Sequence, residues 1–183
     1  MRITLIKSAL IAGALIFFAS GHAHAQTAAT TLPSTAQVVA LDECDPTSFN
    51  AALGEGFCHN VALGAVTLLS DLFAKAAAGT PDKNWDFEPD FVTIKNGGNV
   101  VLTDQGGEPH TFTEVKKFGG GFIDGLNDGE AVVPECQGGF DNLDVAKTRV
   151  LQGSKLEIDN MSKGDHHFQC CIHPWMRMTV TVK

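Results

Sequence analysis

Residues 168–183 read FQCCIHPWMRMTVTVK, and this stretch decides the fold class. Met178, Val180 and Val182 alternate with Thr179 and Thr181. That period of two, rich in β-branched residues, is the mark of a half-buried strand. The run HHFQC before it (166–170) reads as another strand. The connection from Cys170 to Met176 therefore joins two strands. It carries a thiol, an imidazole and a thioether that one loop can turn toward a common point.

The same texture extends back to Trp85. FVTIK (91–95), NVVLT (99–103), HTFTEV (110–115), TRVLQ (148–152) and KLEID (155–159) are short strand-like runs. Asn96-Gly97-Gly98, Gly106-Gly107 and Gly153-Ser154 separate them as turns. About seven short strands over roughly 100 residues predict an all-β, antiparallel sandwich. Residues 116–147 are rich in Gly and Asp and read as loop with a short strand or a turn of helix. No internal repeat is evident.

The first 25 residues form a separate unit. Arg2 and Lys7 precede an apolar run, which ends in Ala23-His24-Ala25. This is the pattern of a secretory signal peptide cleaved after Ala25, with an uncleaved anchor as the alternative. The run is too short to span a bilayer comfortably, and no later run is long enough. Residues 26–84 read as a leader and helical N-terminal extension ahead of a β domain at 85–183. Within it, 26–40 is a flexible leader, and 41–59 is a loop or short helix bracketed by Cys44 and Cys58. Residues 61–78 are helical in pattern, with Val61, Ala65, Leu68, Leu72 and Ala76 on one face. Asn60 caps this helix, Gly79-Thr80-Pro81 stops it, and Asp71 and Lys75 form an i, i+4 pair. Its reading is a helix packed on the domain, with partner docking as the other use.

The net charge of −8 becomes −10 when the signal removes Arg2 and Lys7. Phosphate backbones repel such a chain, so nucleic acid is excluded as a partner. A basic docking partner suits it. A monomer is expected. All five cysteines (Cys44, Cys58, Cys136, Cys170 and Cys171) follow the signal. In an oxidising compartment four can pair, which leaves one thiol among histidines and so invites a metal.

His110, in Glu-Pro-His-Thr-Phe, starts another strand about 60 residues before the loop. Two histidines, a thiolate and a weak methionine describe a blue-copper site. FQCCIHPWMR (168–177) resembles the copper loop of the cupredoxin family, in the amicyanin-like spacing Cys-x2-His-x2-Met. FVTIKNGGNVVLTDQGGEPHTF (91–112) resembles the strands leading to that family's remote histidine. The resemblance covers roughly 85–183. It implies a cupredoxin-like Greek-key sandwich and one mononuclear type 1 copper ion held by His110, Cys170, His173 and Met176. It also implies a periplasmic or secreted electron carrier, not an enzyme, that serves redox partner proteins. Copper trafficking or storage is the alternative, and a structural module with a vestigial site is a third.

The sequence departs from the family at Asp104, where plastocyanin-like proteins often have Asn and whose backbone is expected to support the cysteine sulfur. Cys171 and residues 26–84 are further departures. Strand alternation puts Phe168 and Cys170 on one face and Gln169 and Cys171 on the other. Together with the spacing to His173, this selects Cys170 as ligand over Cys171. Cys136–Cys171 with Cys44–Cys58 is the preferred one of three pairings open to four thiols. His166 lies four strand residues from Cys170, about 13 Å away; it and His167 are bystanders. Met178 fills core, and His59 is solvated or capping in preference to a second metal site with Cys58. Trp175 and Pro174 pack the loop and rim an exposed edge of His173. Zinc on Cys170, Cys171, His173 and His110 is the competing metal site.

Overall fold

The computed structural model describes residues 31–59 and 66–183; the signal segment lies outside them. Residues 31–183 form one unit. The predicted runs become β3 (Phe91–Ile94), β4 (Asn99–Asp104), β5 (His110–Thr111), β6 (Thr113–Val115), β7 (Arg149–Val150), β8 (Lys155–Ile158), β9 (Gly164–Gln169) and β10 (Arg177–Val182). Two more strands precede them, β1 (Thr35–Leu41) and β2 (Asp86–Glu88). One sheet has the order β2-β1-β4-β8, the other β3-β10-β9-β6, and β5 pairs with β7 apart from both.

Two expectations change. Residues 35–41 are not leader but a central strand. Ala36, Val38 and Ala40 are buried in alternation, and the strand pairs with both β2 and β4. The sheet therefore draws on chain that precedes residue 85. The sandwich is also mixed rather than purely antiparallel, because β1 runs parallel to β4 and β10 parallel to β3. Each parallel pair is joined by long intervening chain, as parallel neighbours require.

Facing side chains fill the space between the sheets. Val38, Ala40, Val100 and Leu102 from one sheet and Phe168, Met178, Val180 and Val182 from the other are buried. Phe112 stacks on Phe168 at a centroid distance of 4.3 Å and meets Phe87 edge-on at 5.4 Å. Such aromatic pairs add about 0.5–1.5 kcal/mol each beyond their area. Met178 is core, as its place in the alternation predicts.

Between β1 and β2 come α1 (Pro46–Leu53) and α2 (Leu69–Ala77). Asp45 caps α1 by accepting from Ser48 N, and Pro46 occupies its first turn, where a missing N–H is harmless. The helix expected over 61–78 is shorter. Residues 60–65 lie outside the described part, so the Asn60 cap and the positions Val61 and Ala65 do too. Thr67 is extended: its N donates to Glu43 O, and its O accepts from Asp45 N. That pairing holds the chain out of helix until Leu69. Leu72 and Ala76 are buried as expected, while Leu68 is exposed. Lys75 pairs with Asp82 at 2.6 Å, not with Asp71. The turn at Gly79 (φ 65°) ends the helix where predicted.

Residues 116–147 do more than connect. They hold three 3-10 turns and α3 (Leu143–Ala146). They cover the outer face of β6 and β9 with a second small core of Val115, Val133, Cys136, Val145 and Cys171. Gln169, on that face, is buried and exchanges hydrogen bonds with both the N–H and the C=O of Gly119. The disulfides are Cys44–Cys58 and Cys136–Cys171, as preferred from the sequence.

Candidate metal centre

β9 delivers Cys170, the loop turns, and β10 resumes at Arg177. Cys170 N donates to Met176 O and Met176 N to His173 O, each at 3.0 Å, so the loop closes on itself. β5 brings His110 from the other side. The Nδ1 atoms of His110 and His173 each lie 3.9 Å from Cys170 Sγ. A metal with bonds of about 2.3 Å to sulfur and 2.0–2.1 Å to nitrogen, in a trigonal plane, needs S···N separations of roughly 3.7–3.8 Å. The donor set fits that requirement. His110, Cys170, His173 and Met176 are all buried, and Cys170 is the one cysteine outside the disulfides.

Two backbone amides point at the sulfur: Thr111 N at 3.4 Å and His173 N at 3.5 Å. Asp104 does not take this role. Its N donates to Ser154 O, because it continues the β4–β8 ladder one residue past the Thr103–Lys155 pair. Its Oδ1 accepts from Gly106 N, and its Oδ2 has no partner among the described residues. Burial pushes the Asp104 carboxyl up to about 7, against the opposing charge of His110.

Each imidazole is fixed from behind by a carboxylate. His110 Nε2 lies 3.0 Å from Asp42 Oδ2, and His173 Nε2 lies 3.2 Å from Glu108 Oε2. With Nε2 so engaged, Nδ1 of each ring is left to face the sulfur. Asp42 is itself held by the amides of Gly107, Glu108 and Cys44. Gly106 permits this approach, since a Cβ there would collide with the Asp42 carboxylate. Burial disfavours every charge here, yet the mutual hydrogen bonds outweigh it. They hold the Cys170 thiol well below its ordinary range and His110 well above. Burial likewise lowers His173, but the Glu108 charge and the bond to Cys170 raise it to about 9.

The expected exposed edge of His173 is not found. The residue is 1% exposed. Trp85 meets its ring edge-on at 6.2 Å and is stacked on Phe49 of α1, while Trp175 lies at 5.6 Å. The helices contributed by residues 41–84 roof the site.

The other candidates separate cleanly. Cys171 is in a disulfide, which removes the four-ligand zinc set. Cys58 is likewise bonded, so it forms no site with His59. His166 bonds to Glu114 and Ser162 O, and His167 to Thr179. Sequence reasoning missed Asp42 and Glu108. Glu108 stands two residues before His110, which was a usable signal; Asp42 lies 68 residues away and gave none.

No family model matches the sequence, and no curated protein matches it. Solved structures similar to it include cupredoxins. A purple cupredoxin from Nitrosopumilus maritimus is 16% identical, with 81% of this chain and 99% of that one covered and a TM-score of 0.40. A Cu(I) structure of an amicyanin variant is 17% identical, with 58% of this chain and 89% of that one covered and a TM-score of 0.36. A reduced amicyanin variant is 18% identical, with 56% and 76% covered and a TM-score of 0.36.

Proposed function

We propose that this chain is a periplasmic or secreted type 1 copper protein that carries single electrons between redox partners. The observation that carries the reading is the Cys170 sulfur flanked at 3.9 Å by Nδ1 of both His110 and His173. Met176, buried on the same loop, would complete the ligand set as a weak thioether donor. Copper bound there supplies a one-electron couple between its cuprous and cupric states.

The protein's own contribution is rigidity and charge. Asp42 and Glu108 fix the two rings, and the amides of Thr111 and His173 support the thiolate. A donor set that keeps one geometry in both oxidation states needs little rearrangement as charge moves. Trp175 is partly exposed and packs against His173, which makes it the apolar outlet toward a partner. The signal pattern at 1–25 and the two disulfides suit an oxidising compartment. Among the described residues no helix is long and apolar enough to cross a membrane.

Voltammetry of the copper-loaded chain, paired with a Cu(I) transfer assay, tests this reading. A reversible one-electron wave with copper retained over many cycles is expected. Ready release of Cu(I) to an acceptor, with no reversible wave, would assign the chain to trafficking or storage instead.

A further inference from the structure

Beneath α1 and α2, and beside the 116–147 segment, lies a cavity of about 250 Å³. Five phenyl rings wall it: Phe49, Phe57, Phe73, Phe122 and Phe140. Leu53 and Phe73 are 49% and 37% exposed and stand at its mouth. Buried Glu108 and His173 lie at the inner end and are the only polar side chains lining it among the described residues.

Glu108 is only half used. Oε2 meets His173 Nε2, but Oε1 has no hydrogen-bond partner among the described residues, and the residue is 1% exposed. Leaving such a group unsatisfied costs about 1–3 kcal/mol, and more if it is charged. Phenyl walls cannot supply a donor. A buried water needs about two to four polar partners, and this wall offers few. A ligand that fits must bring an apolar ring for the phenyls and one donor for Oε1. An apolar cavity of about 150 Å³ is enough for benzene, so this one has room for a single ring and a short substituent.

We propose that this cavity binds a small monocyclic aromatic molecule with one hydrogen-bond donor, of the phenol or aniline kind. The donor rests on Glu108 Oε1 and the ring lies among the phenyl side chains. The site goes beyond the electron-carrier reading and does not depend on it. Every wall is set by the fold, and loss of the blue copper reading would leave the cavity as it is.

The test is fluorine NMR on the full chain, with reductant present so that any copper is diamagnetic Cu(I). The probes are 4-fluorophenol and fluorobenzene, which differ in the donor. Both should bind, with the phenol about tenfold tighter, the factor that about 1.4 kcal/mol represents. Glu108→Leu should erase that preference while fluorobenzene still binds. Leu53→Trp, at the exposed mouth, should weaken both probes. If Glu108→Leu fails to fold, NOEs from the phenol ring to the methyl groups of Leu72 and Ile123 in the wild-type chain locate the probe. The proposal is overturned if the wild-type chain binds neither probe or binds both equally. It is also overturned if the preference survives Glu108→Leu, or if those NOEs are absent.

Discussion

At the scale of single residues, a carboxylate behind each imidazole decides which ring nitrogen faces the sulfur. Asp42 does this for His110 at 3.0 Å, and its own oxygens are filled by three amides. Replacing Asp42 by Ala frees the ring to flip. Copper affinity should fall about 10–100-fold, the usual effect of losing such a support, as read by competition with a Cu(I) chelator. Unchanged affinity would mean that the carboxylate only packs. Adjacent Cys170 and Cys171 have opposite fates because strand side chains alternate: one enters the cluster and the other the small outer core. Cys171→Ser should therefore keep the visible absorption of the copper-loaded chain. It should lower unfolding stability by about 3–4 kcal/mol, the chain-entropy value for a loop of that length, as measured by urea denaturation.

At the scale of elements, the helices between β1 and β2 are one of two parts, with residues 116–147, that depart from a bare sandwich. Leu72 of α2 is buried beside the aromatic cavity. Leu72→Ala should cost about 2–5 kcal/mol, visible as a lower urea midpoint. The segment after α2 is tied back by Asp82, which accepts from Thr67 and Lys75, each at 2.6 Å. Burial pushes the Asp82 carboxyl up, but these bonds more than offset that and leave it below its ordinary value. A depressed folded pKa stabilises above the unfolded value, about 3.9. That contribution is lost as pH falls through the folded value. Wild type should therefore exceed Asp82→Asn in stability at pH 6, with the gap shrinking toward pH 3; a gap constant over that range would contradict the assignment. The later strands were legible in the sequence because Val, Thr and Ile alternate there with little competition. β1 was not, because Ala36 and Ala40 are weak apolar signals in a polar-looking run. The start of α2 was hidden by apolar spacing that continues upstream of Thr67. The candidate ligands were legible because three lie within seven residues. Asp42 and the roof over His173 were not, because both depend on long-range packing that no local spacing encodes.

At the scale of the whole molecule, an acidic chain carries a buried, soft donor set. The balance is −8 for the full sequence. Attraction to a basic partner should weaken as salt shortens the Debye length from about 30 Å at 0.01 M to about 8 Å at 0.15 M. Electron exchange with a basic partner protein should slow over that range in stopped-flow measurements; a rate indifferent to salt would remove electrostatic docking from the account. With His173 buried, Trp175 is the partly exposed aromatic that packs against it on that loop, and the aromatic-walled cavity lies beneath α1 and α2. The electron-carrier reading depends on one claim, that Cys170 is a thiolate ligand to copper. The most direct measurement is the visible and EPR spectrum of the chain loaded with one equivalent of Cu(II), beside Cys170→Ser. The wild-type protein should show an intense thiolate-to-copper absorption that the variant lacks. A colourless wild-type complex, or an equally coloured Cys170→Ser, would contradict the account.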